Sequence, residues 1–208
     1  MANSSLAIEK LNQLKALQPS NTGVDKKLAE IYYLKNDFSK AADAYSRFAM
    51  GPVATEEDLV KYAFALFLNH DFEKSLEVAN MGLQKNPRHA AFNRLAMYNY
   101  TDLKRFDEAM KAADIFFNET DKADYSYLDY MYYGHLLEDL KKYDEAVIQY
   151  EKAVQLDPSN TNLYKNISAA YERKNDYKKA ISAYRKYYGS VGSPGFSLSV
   201  LILHLHVD

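Results

Sequence analysis

Three side chains near the end of the sequence are of types that bind metals. His204, His206 and Asp208 alternate, and on a strand they would share one face as two imidazoles and a carboxylate. Three ligands at a chain terminus without a second shell to orient them make a weak site, so no metal site is assigned. His70 and His89 fall in or beside polar turns and are read as solvated. Two carboxylate pairs, Asp107 with Glu108 and Asp144 with Glu145, have a composition suited to acid–base work. Both sit in the same recurring phrase, "FDEA" and "YDEA", where negative charge favours the start of a helix. No Gly-rich phosphate loop, HExxH zinc helix or nucleophile elbow occurs. Cysteine is absent, which removes disulfides and thiolate zinc sites. Neither catalysis nor a cofactor is expected.

The elements that would carry any other site are those of an ordinary globular protein. Of 208 residues, 48% are apolar and 26% charged, and the net charge is −2. That balance has no electrostatic footprint for nucleic acid or an anionic membrane. No apolar run reaches the roughly 20 residues needed to span a bilayer, and membrane insertion is not expected. A cytoplasmic location is the default, and a bacterial periplasm would follow if an upstream signal peptide had been removed. Only 7 Gly and 5 Pro disfavour an all-β chain rich in tight turns. The 19 Tyr, against no Trp, call for an explanation.

The chain repeats itself. "KNDFSKAADAY" (35–45) returns as "KNDYKKAISAY" (174–184), and equivalent small residues fall at Ala41, Ser75, Ala109, Ala146 and Ala180. Their spacing is 34 residues throughout except for one step of 37, and the three extra residues fall within "NETDKADYSY" (118–127). Each repeat reads as two amphipathic helices. In 161–175 the stripe Tyr164, Ile167, Ser168, Tyr171 has i, i+3, i+4, i+7 spacing, and in 176–188 the stripe is Tyr177, Ala180, Ile181, Tyr184. "RKND" supplies the turn between them, with Asp176 placed to cap the second helix. Pro19, Pro52, Pro87 and Pro158 punctuate the junctions between repeats. Helices this short need stacked neighbours for stability.

This pattern resembles the tetratricopeptide repeat (TPR) family. The repeat beginning at Tyr127 places Tyr130, Tyr133, Gly134, Leu137, Tyr143, Ala146, Tyr150, Ala153 and Pro158 at the family's signature positions 4, 7, 8, 11, 17, 20, 24, 27 and 32. The resemblance covers residues 4–188: a half repeat over 4–19, then full repeats over about 22–55, 56–89, 90–126, 127–160 and 161–188. It implies an all-α, right-handed superhelical solenoid of antiparallel helix pairs, expected to fold as one domain. Departures are Asp25 and Asn93 at position 4, Met97 at position 8, and Phe48, Phe116 and Tyr187 at position 27, where the family prefers Ala. Residues 189–208 form an atypical apolar tail. Leu198, Leu201, Ile202 and Leu205 keep the phase of a sixth repeat, but the segment lacks a polar outer face. It is expected to be either a cap on Tyr184 and Tyr188 or an artefact of truncation, and it could promote self-association.

Twelve of the 19 tyrosines occupy bulky core positions, which makes packing their main role. In the family the first helices line a concave groove through positions 2, 5, 6, 9, 12 and 13. In the last three full repeats the residues taken for that surface are Arg94, Tyr98, Leu128, Met131, Tyr132, His135, Asn162, Lys165 and Asn166. An aromatic and methionine centre flanked by amides and cations suits a peptide or protein segment. The family's clamp for acidic chaperone tails is missing: starting from the third full repeat its places hold Arg94, Tyr98, Tyr132, Asn162 and Asn166. The resemblance therefore implies a non-catalytic scaffold with a protein partner and no nucleic acid. Two alternatives are a portion of a larger enzyme or regulator, and a component of an exported bacterial assembly with a glycan or protein ligand.

Overall fold

The computed structural model describes residues 2–120 and 124–191. The expectations for the tail, including the alternating His204, His206 and Asp208 and the sixth-repeat phase, lie outside the described residues. Those residues hold eleven α-helices and no strand. The chain divides into two compact units, Met1–Ala123 and Asp124–Asp208, and the division falls inside the segment that carries the three extra residues.

The first unit contains α1 (Ala2–Leu17) followed by three helical hairpins: α2 (Thr22–Leu34) with α3 (Phe38–Ala49), α4 (Glu56–Leu68) with α5 (Phe72–Lys85), and α6 (Ala90–Asp102) with α7 (Phe106–Asp114). A π-helical turn, Ile115–Glu119, continues α7 and admits extra length before the division. The second unit contains two hairpins, α8 (Tyr127–Asp139) with α9 (Tyr143–Leu156) and α10 (Asn162–Arg173) with α11 (Tyr177–Val191). Each first helix packs on its own second helix, and α3, α5 and α9 also pack on the first helix that follows them. Burial thus comes from neighbours in sequence, as in a stacked repeat.

One backbone device makes all five hairpin turns. Asn36, His70, Lys104, Lys141 and Asn175 are left-handed, with φ between 58° and 64°. Around each, the next N–H bonds back to the first helix, as in Asp37 to the Tyr32 carbonyl (2.9 Å) and Lys142 to the Leu137 carbonyl (2.8 Å). This is a Schellman closure, which satisfies carbonyls the helix would otherwise leave open. The second helix then starts at once. Asp37 accepts from the Lys40 N–H and Asp176 from the Lys179 N–H, each at 3.3 Å, so Asp176 caps α11. Thr55 with Asp58 and Ser126 with Asp129 form capping boxes on α4 and α8.

The small residues sit where helices approach most closely. Ala41, Ala109, Ala146 and Ala180 are fully buried, and so is Ser75, whose hydroxyl donates to the Ala63 carbonyl at 2.8 Å and accepts from Asn99. A hydroxyl is therefore tolerated at an alanine place because it finds a backbone partner. The departures at position 4 are also resolved locally. Asp25 is buried against Lys15 and accepts from Arg47 at 2.8 Å, while Asn93 donates to the Pro87 carbonyl at 2.9 Å. The two phenylalanine rings at position 27 are roofed by cations: Lys26 stands 4.9 Å above Phe48 and Arg94 stands 5.0 Å above Phe116.

Candidate functional site

The nine expected groove residues are divided between the units. Arg94 and Tyr98 lie on α6 in the first, and the other seven lie on α8 and α10 in the second. One of the nine requires correction. Tyr98 is only 2% exposed, with its ring 5.5 Å from that of Phe67, so it packs the interior instead of presenting a surface. The Arg94 guanidinium is engaged over the Phe116 ring. Tyr98 is covered because its ring packs against Phe67 of the preceding first helix.

In the second unit the expected residues form a continuous pair of helix faces. Asn162 and Lys165 are exposed, as is Leu128 at 36%, while Met131, Tyr132, His135 and Asn166 are half-buried. His135 Nε2 and Asn166 Nδ2 are 3.2 Å apart, which ties α8 to α10 across the face. The His135 ring lies edge-on to Tyr132 at 6.2 Å and to the buried Tyr150 at 5.6 Å. Beneath, Tyr150 donates to Glu138 Oε2 at 2.6 Å, and Arg173 lies 3.0 Å from Oε1 as its ion-pair partner. Burial, reinforced by that carboxylate, pushes the Tyr150 phenol far above its ordinary range, so it remains a donor. The face is held by a rigid hydrogen-bonded floor.

The first unit holds a site that the sequence reading did not assign. Glu30, Tyr33 and Leu34 of α2 face Val60, Lys61 and Phe64 of α4 around a pocket of about 440 Å³, with Tyr45 of α3 at its floor. Leu34 is 82% exposed, and Tyr33, Val60 and Phe64 are half-buried. Burial, with the nearby Glu30 charge, pushes the Tyr45 phenol up to about 12. The charges at the rim are each paired along their own helix, Lys27 with Glu30 at 2.9 Å and Lys61 with Glu57 at 2.7 Å. Tyr33 and Leu34 stand at groove positions 12 and 13 of the first full repeat, and Val60 and Phe64 at positions 5 and 9 of the second, so their helix face is legible in the sequence. The pocket's volume depends on how α2, α3 and α4 pack.

Among the described residues no three His, Asp or Glu side chains converge as metal ligands, and no helix is long and apolar enough to cross a membrane. The first-helix faces offer apolar contact framed by amides and paired charges.

Comparison with known proteins places this architecture. A TPR repeat model matches residues 134–175, and a tetratricopeptide repeat model matches residues 162–189. Among solved structures, the chain is similar to MamA (residues 41 to the end) from Desulfovibrio magneticus RS-1, with a TM-score of 0.70 and 16% identity over 84% of this chain and 97% of that one. It is similar to a tetratricopeptide repeat protein from Parabacteroides merdae ATCC 43184, with a TM-score of 0.72 and 17% identity over 98% of this chain and 78% of that one. It is also similar to a chain of the APC/C hetero-tetramer Cut9–Hcn1, with a TM-score of 0.73 and 14% identity over 99% of this chain and 40% of that one. At these identities the likeness concerns the fold.

Proposed function

We propose that this chain, which carries tetratricopeptide repeats, is a non-catalytic scaffold that binds a protein segment on the faces of its first helices. The observation that supports this most directly is the α2–α4 pocket, where Tyr33, Leu34, Val60 and Phe64 leave apolar surface open to solvent. Core packing does not require a leucine at 82% exposure, and a partner's apolar side chain would cover it. At about 440 Å³ the pocket has room for one or two such side chains. The α8–α10 face, with Leu128, Met131 and Tyr132 beside Asn162, Lys165 and Asn166, supplies apolar contact and amides that could pair with peptide backbone.

Site-specific photo-crosslinking in the producing cells tests this reading. A photo-reactive residue at Leu34 or at Tyr132 is expected to capture protein partners, whereas one at Lys74, exposed on the second helix α5, captures none. Val60→Glu is expected to abolish capture at Leu34 by placing an unpaired charge in the pocket wall. Equal capture from Lys74, or none from either first-helix position, rejects the proposal.

A further inference from the structure

The second helices carry a different surface, and its chemistry is unlike that of the faces above. Residues 162–189 contain seven Lys or Arg against two Asp or Glu, in a chain whose net charge is −2. Helix α11 itself bears Lys178, Lys179, Arg185 and Lys186 and no acidic residue. Among the described residues Lys178, Arg185 and Lys186 have no carboxylate partner; Lys179 is paired with Asp176 at 3.3 Å. Beside this helix runs a groove of about 380 Å³ between α9 and α11, floored by α10. Its floor is Tyr164, Ile167 and Tyr171, at i, i+3 and i+7. Lys186 stands 5.2 Å over the Tyr164 ring and Lys179 stands 5.3 Å over the Tyr171 ring. The Lys186 ammonium is therefore anchored on one side by a ring with no carboxylate partner among the described residues, while that of Lys179 is shared between its ring and Asp176 and stays largely exposed. The facing wall on α9 is Glu151, Val154 and Gln155.

We infer that this groove binds an acidic helical segment of a partner protein, with carboxylates two turns apart on Lys179 and Lys186 and an apolar residue between them on the tyrosine floor. The spacing fits. Seven residues on a helix rise about 10.5 Å, so carboxylates at i and i+7 of a bound helix match Lys179 and Lys186. An apolar side chain at i+3 or i+4 then meets Ile167 between the two rings. Charge complementarity selects acidic ligands, and the shallow apolar floor selects a peptide over a bare polyanion. Glu151 on the opposite wall acts in the same direction, since it would repel a continuous run of phosphates but accommodates a ligand that is acidic on one side only. The groove shares α10 with the proposed α8–α10 face but uses different side chains of it, Tyr164, Ile167 and Tyr171 rather than Asn162, Lys165 and Asn166, and either site could fail without the other.

The test uses the full chain and a labelled alanine-based helical peptide with two Glu seven residues apart and Leu between them. Fluorescence anisotropy is expected to show binding that weakens about tenfold or more when both Glu become Gln, and likewise in Lys179→Gln with Lys186→Gln. Raising the salt should weaken it as well. Lys40→Gln removes the same lysine-over-tyrosine packing, Lys40 over Tyr32, outside the groove and should leave binding unchanged. If the double variant proves unfolded by circular dichroism, the Glu-to-Gln peptide pair on the wild-type chain decides alone. Indistinguishable binding of the two peptides, or absence of binding, overturns the inference. So does tighter, Lys179- and Lys186-dependent binding of a single-stranded oligonucleotide or of phosphatidylserine vesicles, which would mark the face as one for phosphates.

Discussion

A methyl group added at residue 134 would meet the Tyr150 ring at 2.4 Å, and that ring is fully buried with its hydroxyl bonded to Glu138. Neither the ring nor the hydroxyl can move aside without breaking a buried polar contact. Gly134→Ala is therefore expected to destabilise the protein by about 1–3 kcal/mol, read from the urea midpoint. Asp25 makes a second prediction at this scale. Burial alone would raise its carboxyl, but hydrogen bonds from Lys15 and Arg47 outweigh that and hold it below the ordinary 3.8. Because the folded value is depressed, the stabilisation is present above about pH 4 and is lost as pH falls through the folded value. Asp58, bonded to Lys26 and Thr55, is depressed in the same sense. Asp25→Asn should lower stability at neutral pH by about 2 kcal/mol and flatten the acid limb of a stability–pH profile. An unchanged acid limb would exclude Asp25 as a contributor.

At the scale of the element, the five Schellman turns share one geometry but not one residue. Asn36, Asn175 and His70 are of types that tolerate left-handed backbone, whereas Lys104 and Lys141 hold it against their side-chain preference. Lys141→Gly should raise stability by about 1 kcal/mol, and Asn36→Ala should lower it, both measurable by chemical denaturation. The phrase "KND" made the turn legible in sequence, because polar residues between two apolar stripes end one helix and start another. The left-handed residue within it was not legible at Lys104 or Lys141, since lysine carries no such signal. The excess of tyrosine is likewise explained by pairs of elements. Lys152 covers Tyr130 and Lys186 covers Tyr164 between second and first helices at the same repeat positions, and Lys40 over Tyr32 matches Lys179 over Tyr171. The tyrosine rings thereby fill the interhelical seams while their faces take up lysine stems and charges, two of which, Lys40 and Lys179, are also paired with Asp37 and Asp176.

Across the whole molecule, stability is built from contacts between neighbouring helices, so a local defect should spread mainly to adjacent repeats. Gly134→Ala is expected to reduce amide protection most strongly across α8 to α10, and hydrogen exchange with peptide-level readout would check it. A uniform loss over both compact units would contradict nearest-neighbour stacking. The sequence by itself determined the helical hairpins, their 34-residue period, the place of the extra three residues and which helices come first in each repeat. Those features are local: periodicity, turn residues and small-residue spacing act within a few dozen residues of chain. Leu128, Met131, Tyr132, His135, Asn162, Lys165 and Asn166 lie on the first helices α8 and α10. Only the tertiary structure decided that Tyr98 is interior, that Arg94 roofs Phe116, that α2 and α4 enclose a pocket, and that Lys179 and Lys186 border a groove. Whether a side chain on a given helix face is open or covered depends on the volume of residues one or more helices away. A repeat pattern records which face a residue occupies, but not how much of it its neighbours fill.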